Sequence, residues 1–500
     1  MTIMRSHMPL VLQPGFQVAQ LIGSGKNTVT DVHTAYKDQI DRVNPAVNAL
    51  IAHNFSTPQA KLLQLAQANP EATQSMPLWG MPSVIKGCVP VANFPDTKAG
   101  TVKNGPIAKE SAPIVQRLSI TGAIACMLAN LPPRSSSFTT HNASPPGAGF
   151  GTTHNPYNLD HTSYGSSGGV AAAVASGMAA LGLGFSIAGS VQLPAHGCGV
   201  YALTLSPNIA SSAGHFPSSE TVRHMAVPGL FARHPKDLSI GLSAIQGVDN
   251  SPHQLRRRNL NIIEPRNPKD TRIGVAKGLG ELSADEDTSR LLDELIDKLT
   301  QQGYQVSDFN FGKTIAEEIW YVSGGLFSAQ VGPSMGIIGR FFFKYMSGLK
   351  ESASDWAYYR GLLENLGGDS FRNYMDLMHR RDYLLNERDK MFGQYDYVIM
   401  PSAISAAPEE PLDSKTVVVN GDKLPIAVGL GAFGTIGNLL GVPVASIPIG
   451  HSEQGLPIGI QMLGRPLDDA NLLDTVTQMV NSNTVPEWQP AEWILDAAAS

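Results

Sequence analysis

The stretch Gly165-Ser166-Ser167-Gly168-Gly169, followed by Val170 to Ala180, then Leu181 to Ile187 and Ala188-Gly189-Ser190, decides how the rest of the chain is read. Two hydroxyls between glycines need a backbone that bends sharply and lets other groups come close. The small residues from Val170 to Ala180 predict a helix that neighbours can approach closely, and Leu181 to Ile187 predicts a fully buried strand. Ser190 falls just past that strand, where successive backbone N–H groups can converge on an oxyanion. Taken singly, each string reads as a structural or phosphate-gripping turn, and the first matches neither the P-loop nor the dinucleotide fingerprint.

Upstream, Leu78 to Lys86 reads as a turn feeding a short buried strand that ends on a lysine, and Gly122 to Leu128 as a second apolar strand. Pro132 to Gly151, rich in Ser, Pro and Gly, is a loop of the length that usually carries function. Nearer the start, Thr28 to Asp31 resembles a capping box opening an amphipathic helix whose apolar face is Val32, Ala35, Tyr36, Ile40 and Val43. Downstream, strand Arg272 to Ala276 alternates with helices Thr288 to Gln302 and Phe371 to Met391. Further core strands are expected at Tyr397–Met400, Val444–Pro448 and Ile458–Gln461. The expected fold class is α/β, a large twisted mixed β-sheet wrapped by helices. No polar linker divides the 500 residues, so residues 1–500 are read as one domain, with 1–15 as a segment disordered or foreign to the folded unit.

Charged residues are only 16% of the chain and the net charge is −6, so no dense basic stripe offers a nucleic-acid surface. The densest basic run, Arg256-Arg257-Arg258, reads as a solvated turn. Cys88, Cys126 and Cys198 cannot all pair with one another and sit in apolar surroundings, which points to free thiols, a reducing compartment and a cytoplasmic location. Met1 to Phe16 lacks an export signal, and Val170 to Ile187, built of Ala and Gly, is too weakly hydrophobic for a membrane span. No His/Cys spacing suits a metal, and no cofactor is expected.

Lys86, Ser166-Ser167, Gly189-Ser190 and Pro194-Ala195, in this order, resemble the amidase-signature family. Further matches are Asn155-Pro156, Cys198-Gly199-Val200, Asn438-Leu439, Gly441-Val442-Pro443 and Gly455 to Gln461, so the resemblance spans almost the whole chain. The resemblance implies the amidase-signature fold, with Ser190 as nucleophile, Lys86 as base and Ser166 as relay on a cis peptide bond to Ser167. It also implies an oxyanion hole from the N–H groups of Ile187, Ala188, Gly189 and Ser190, with Gly165 and Ser167 supporting the relay. A serine hydroxyl needs its proton removed, and a lysine can remove it only when burial leaves the amine neutral. Asn142, Tyr164 and Gln192 are expected to touch substrate.

The departures from the family pattern cluster near these residues. Gly87 stands where the family has an acid after the lysine, Ser186 where it has an aspartate, and Gln192 where it has an arginine. Losing a buried acid and a buried base together leaves neither unpaired. Ala188 and Tyr164 replace glycines, and Leu128-Ala129 replaces Lys-Thr, which implies a reshaped pocket. The expected activity is amide hydrolysis through an acyl-enzyme. The alternatives are amide-forming acyl transfer to an amine in biosynthesis, and an inactive amidase-like subunit, weakened because all three catalytic positions are intact. Nothing marks a tail for docking in an amidotransferase. The expected partners are a small amide or acyl substrate, an amine acceptor and a second copy in a homodimer, with no nucleic acid and no membrane. Phe341-Phe342-Phe343, Trp356 and Tyr358-Tyr359 read equally as acyl pocket or as core.

Overall fold

Apolar runs of strand length alternating with helical segments must bury both sheet faces, and the chain does this with helices packed on either side. The computed structural model describes residues 8–69, 71, 73, 75–143, 149–218, 222–247, 265–346, 356–365, 370–412, 416–419 and 421–499. One mixed sheet of eleven strands forms the centre. Its strands are β1 (Leu50–His53), β2 (Pro82–Lys86), β3 (Ile124–Ala129), β4 (Leu181–Ser186), β5 (Tyr201–Thr204), β6 (Val227–Ala232), β7 (Arg272–Val275), β8 (Gln305–Asp308), β9 (Tyr397–Pro401), β10 (Val444–His451) and β11 (Pro457–Leu463). The spatial order is β1-β3-β2-β4-β6-β5-β10-β11-β9-β7-β8. β2 runs parallel to β3 and β4, and β7 parallel to β8 and β9, while the remaining neighbours are antiparallel.

The helices that matter for the site are α1 (Val29–Val47), α2 (Gly168–Ala175), α3 (Gln192–Gly197), α4 (Glu286–Gln301), α5 (Lys313–Met346), α6 (Ala357–Glu364), α7 (Phe371–Gln394) and α8 (Thr435–Leu440). Thr28 caps α1 through a complete capping box with Asp31. The α2 helix is shorter than its alanine-rich run implies, because Gly177 takes a left-handed φ of 70° and turns the chain directly into β4. It packs on β2 and β4 and touches α3, which in turn packs on β5, β10 and β11. Thus the segments preceding α2 and α3 meet at one end of adjacent strands. Helices α5, α6, α7 and α8 pack on one another beside that end, and α5 and α6 supply a wall there.

The expectation that residues 1–15 lie outside the folded unit is overturned for the described residues 8–15. Val11 and Leu12 are buried. The buried Arg233 donates to the carbonyls of Val11 (2.9 Å), Leu12 (3.2 Å) and Gln13 (2.9 Å). The same guanidinium donates to the carbonyls of Val174 in the last turn of α2 and of Ala179 just beyond it. The N–H groups of Gly15 and Phe16 are held by the Asp237 carboxylate, each at 2.8 Å. A short apolar segment is therefore stitched to the back of α2 by charges too distant in sequence to be anticipated locally.

Arg256-Arg257-Arg258, the 144–148 part of the long loop and the side chains of Phe341-Phe342-Phe343 lie outside the described residues. All three cysteines are buried and unpaired. Among the described residues no helix is long and apolar enough to cross a membrane, and no His/Cys/Asp/Glu group could hold a metal ion.

Replacing Arg233 with Met removes donors from five buried or half-buried carbonyls, so stability should fall by about 3–5 kcal/mol. Denaturant melts of the Arg233→Met variant, with proteolysis of the first residues as a second probe, check this; an unchanged midpoint refutes it.

Candidate active site

The end of β2 carries Lys86 into the protein interior, where the side chain is 1% exposed. Its Nζ donates to Ser166 Oγ at 2.7 Å and to the Phe185 carbonyl at 3.3 Å. Burial lowers the pKa of this amine from 10.5 to about 8, and the nearby Cys88 thiol offsets only part of that. Among the described residues no carboxylate pairs with it. The next position is tight as well: a Cβ on Gly87 would meet Leu131 Cδ2 at 3.0 Å and the Ala129 carbonyl at 3.1 Å, so a larger residue there needs its neighbours to shift.

Ser166 sits in the bend before α2. The cis peptide bond lies one position earlier than the family resemblance implies, between Gly165 and Ser166, and the Ser166–Ser167 bond is trans. Gly165 lies against its neighbours, so that a Cβ there would meet the Thr139 backbone at 2.7 Å and the Ser137 carbonyl at 2.8 Å. Ser167 forms the N-terminal flank of α2 and donates its N–H to the Ser190 carbonyl at 3.3 Å. Ser167 Oγ also donates to the Phe185 carbonyl, the same oxygen that Lys86 uses. Thr140 steadies the bend from outside, donating to the Tyr164 carbonyl at 2.8 Å and accepting the Gly168 N–H at 3.1 Å.

The loop from Ile187 to Ser190 links β4 to α3. Gly189 adopts φ 95°, and a Cβ there would meet Gly434 Cα at 2.8 Å, so only glycine lets the loop lie against its neighbour. The Gly189 N–H points back into the protein, toward Ser186 Oγ at 3.2 Å and Asn438 Oδ1 at 3.3 Å. It is therefore withdrawn from the oxyanion set expected from sequence. The N–H groups of Ile187, Ala188 and Ser190 have no acceptor among the described residues.

Behind this loop Ser186 Oγ donates to Asn438 Oδ1 at 2.8 Å and contacts Gln192 Oε1 at 3.2 Å, while Gln192 Nε2 donates to Asn438 Oδ1 at 3.3 Å. Asn438 Nδ2 completes the knot on the carbonyls of Ser186 and Met225. The two departures Ser186 and Gln192 thus face each other in a neutral cluster. Its consequence for Gln192 is a correction: the side chain is fully buried behind the loop, where it cannot touch substrate.

Two other expected substrate contacts are corrected likewise. Asn142 is buried and spends its amide on the carbonyls of Gly100 and Leu131. Tyr164 turns inward, packing edge-on against His196 with its hydroxyl on the Ser405 carbonyl at 3.2 Å. Their donors turn instead to interior backbone carbonyls, Asn142 Nδ2 to those of Gly100 and Leu131 and the Tyr164 hydroxyl to that of Ser405.

Lys86, Ser166, Ile187, Ala188 and Ser190 share the lining of one cavity of about 750 Å³. Its opposite wall includes Phe327, Tyr358, Tyr359, Leu362 and Ile426, contributed by α5, α6 and the start of the helix at Ile426. Trp356 lies behind this wall, against Trp320. Sequence reasoning missed His215, which lines the cavity beside Lys86, and gave Asn438 and Thr140 no role. A lone histidine in a Ser-rich loop carries no local signal.

The family model described as Amidase matches residues 31–473, and the chain belongs to that family, the one its motifs resemble. A glutamyl-tRNA(Gln) amidotransferase subunit from Caldanaerobacter subterraneus subsp. tengcongensis is 26% identical over 498 aligned residues, covering 92% of this chain and 94% of that one. The structure of 6-aminohexanoate cyclic dimer hydrolase complexed with substrate gives a TM-score of 0.79 at 24% identity, over 97% of this chain and 99% of that one. A bacterial aryl acylamidase gives 0.79 at 19% identity over 98% of each chain. These two structures share the fold.

The buried amine has a thermodynamic consequence independent of activity. Its folded pKa lies below its unfolded value, so the fold disfavours the charged form. The penalty is fully present below about pH 8 and disappears as pH rises through 10.5. At pH 7 the Lys86→Met variant should therefore be more stable than the parent by about 2 kcal/mol after the lost hydrogen bonds are deducted. The gain should shrink above pH 8. Denaturant midpoints against pH measure it, and a destabilised variant at pH 7 refutes the unpaired-amine account.

Proposed function

We propose that the chain is an amide hydrolase working through an acyl-enzyme on Ser190. The observation that carries this reading is a sealed lysine with no described carboxylate partner, hydrogen-bonded to Ser166 in the same cavity as Ser190. A neutral Lys86 accepts the Ser166 proton as Ser166 takes that of Ser190, whose oxygen then adds to the amide carbon. The free N–H groups of Ile187, Ala188 and Ser190 are available for the developing oxyanion, which preorganised donors stabilise without reorganising. Collapse expels the amine, which carries away the proton returned along the same path. Water then repeats the sequence and releases the acid.

The wall of Phe327, Tyr358, Tyr359, Leu362 and Ile426 supports an apolar or aromatic portion on the substrate. The cavity volume suits a small organic amide rather than a folded macromolecule.

Substituting Ser190 with Ala should abolish turnover and leave the melting temperature within a degree or two of the parent, about the range for a conservative small-residue change. Mass spectrometry of the parent with an amide panel should show an acyl adduct on Ser190. Products formed with and without added amines separate hydrolysis from acyl transfer: new amides in place of acids would replace water by an amine as acceptor. Near-parental activity in Ser190→Ala removes the nucleophile assignment altogether.

The same reading sets the pH dependence. Lys86 acts as base only when unprotonated, so kcat/KM should rise with pH through an ionisation near 8 and level off above it. A flat profile between about pH 6 and about pH 9 contradicts a lysine base.

A further inference from the structure

An amide presents two polar groups to an enzyme, a carbonyl that accepts and an N–H that donates. The loop before α3 offers donors to the first. Satisfying the second takes an acceptor near the catalytic amine, since a buried donor left without a partner is costly.

His215 supplies such an acceptor. Its ring lines the cavity and packs on Phe185 with centroids 4.7 Å apart. Phe185 is the residue whose carbonyl holds both Lys86 and Ser167, so the imidazole is fastened to the strand end that carries the catalytic hydrogen bonds. Nδ1 lies 2.9 Å from the Pro217 carbonyl, which can only accept, so Nδ1 carries the hydrogen. The tautomer follows: Nε2, on the opposite side of the ring, carries a lone pair, and no described residue donates to it. Burial and the neighbouring Lys86 push the imidazole pKa down to about 4, which keeps that lone pair available at neutral pH.

We propose that His215 is a specificity-determining residue whose Nε2 accepts the N–H of the scissile amide, so that the site favours amides bearing an N–H over esters and N-alkylated amides. This rests on the hydrolase reading above. No proton is transferred to His215 in the reaction; the imidazole stays neutral and the bond orients the nitrogen that will leave. The histidine is not part of the relay; it selects which substrates reach the relay in productive orientation.

The test compares an anilide, its N-methyl analogue and the phenyl ester of one acyl group, using the full chain and its His215→Phe and His215→Gln variants. In the parent, the N–H anilide should outpace the N-methyl anilide. In His215→Phe, the ratio of anilide to ester kcat/KM should fall by about fivefold to tenfold, the value of one hydrogen bond. In His215→Gln, whose side-chain oxygen restores an acceptor, the ratio should recover in part. Equal loss on anilide and ester, or an unchanged ratio, overturns the inference while leaving the hydrolase reading intact. Should His215→Phe melt early, equal parental rates on the N–H and N-methyl anilides overturn it without that variant. Turnover of none of the three substrates by the parent overturns the hydrolase reading, and the inference falls with it.

Discussion

A lysine amine sealed at the end of β2, with one hydroxyl and one backbone carbonyl as its partners, is the constraint on which the rest of the site depends. Such a group is tolerated only if the structure around it supplies acceptors of the right kind. The sheet does so. Placing β4 alongside β2 brings the Phe185 carbonyl to the amine, and the bend before α2 brings Ser166. Because Ser167 follows Ser166 and binds the Ser190 carbonyl, the bend also fixes the loop that carries the nucleophile candidate. One buried amine thus organises two loops.

The departures from the family pattern become coherent in this light. A carboxylate next to the amine would stabilise its charged form and raise its pKa. Gly87 brings no acid and is tightly surrounded, and the cluster of Ser186, Gln192 and Asn438 is neutral throughout. The cluster still steadies the loop mechanically, because it takes the Gly189 N–H and works by hydrogen bonds rather than by an ion pair. Replacing a buried ion pair with a satisfied neutral network removes two desolvation penalties at once, and the geometry of the loop no longer depends on a charge.

Much of this was legible in the chain. The buried strands β2, β4, β9, β10 and β11 announce themselves as short apolar runs, and the capping box at Thr28 correctly opens α1. Lys86, Ser166 and Ser190 could be singled out because the ordered strings that hold them resemble those of one family, although each string taken singly reads as a turn. Errors arose where a side chain had a choice of direction. Tyr164 and Gln192 flank the two serine strings in sequence and Asn142 lies in the loop before them, yet each found backbone or side-chain partners in the interior.

Local composition and periodicity therefore specify which segments become strands, where the chain bends and which residues stand at the strand ends, since these follow from contacts among near neighbours. The roles of Arg233, Asn438 and His215 were beyond such reasoning. Arg233 acts on a segment more than two hundred positions away, Asn438 on a loop of comparable separation, and His215 through a ring contact and one carbonyl that set its tautomer. Hydrogen-bond direction and burial are properties of groups brought together by packing, so they exist only once the sheet has closed and its helices have covered it.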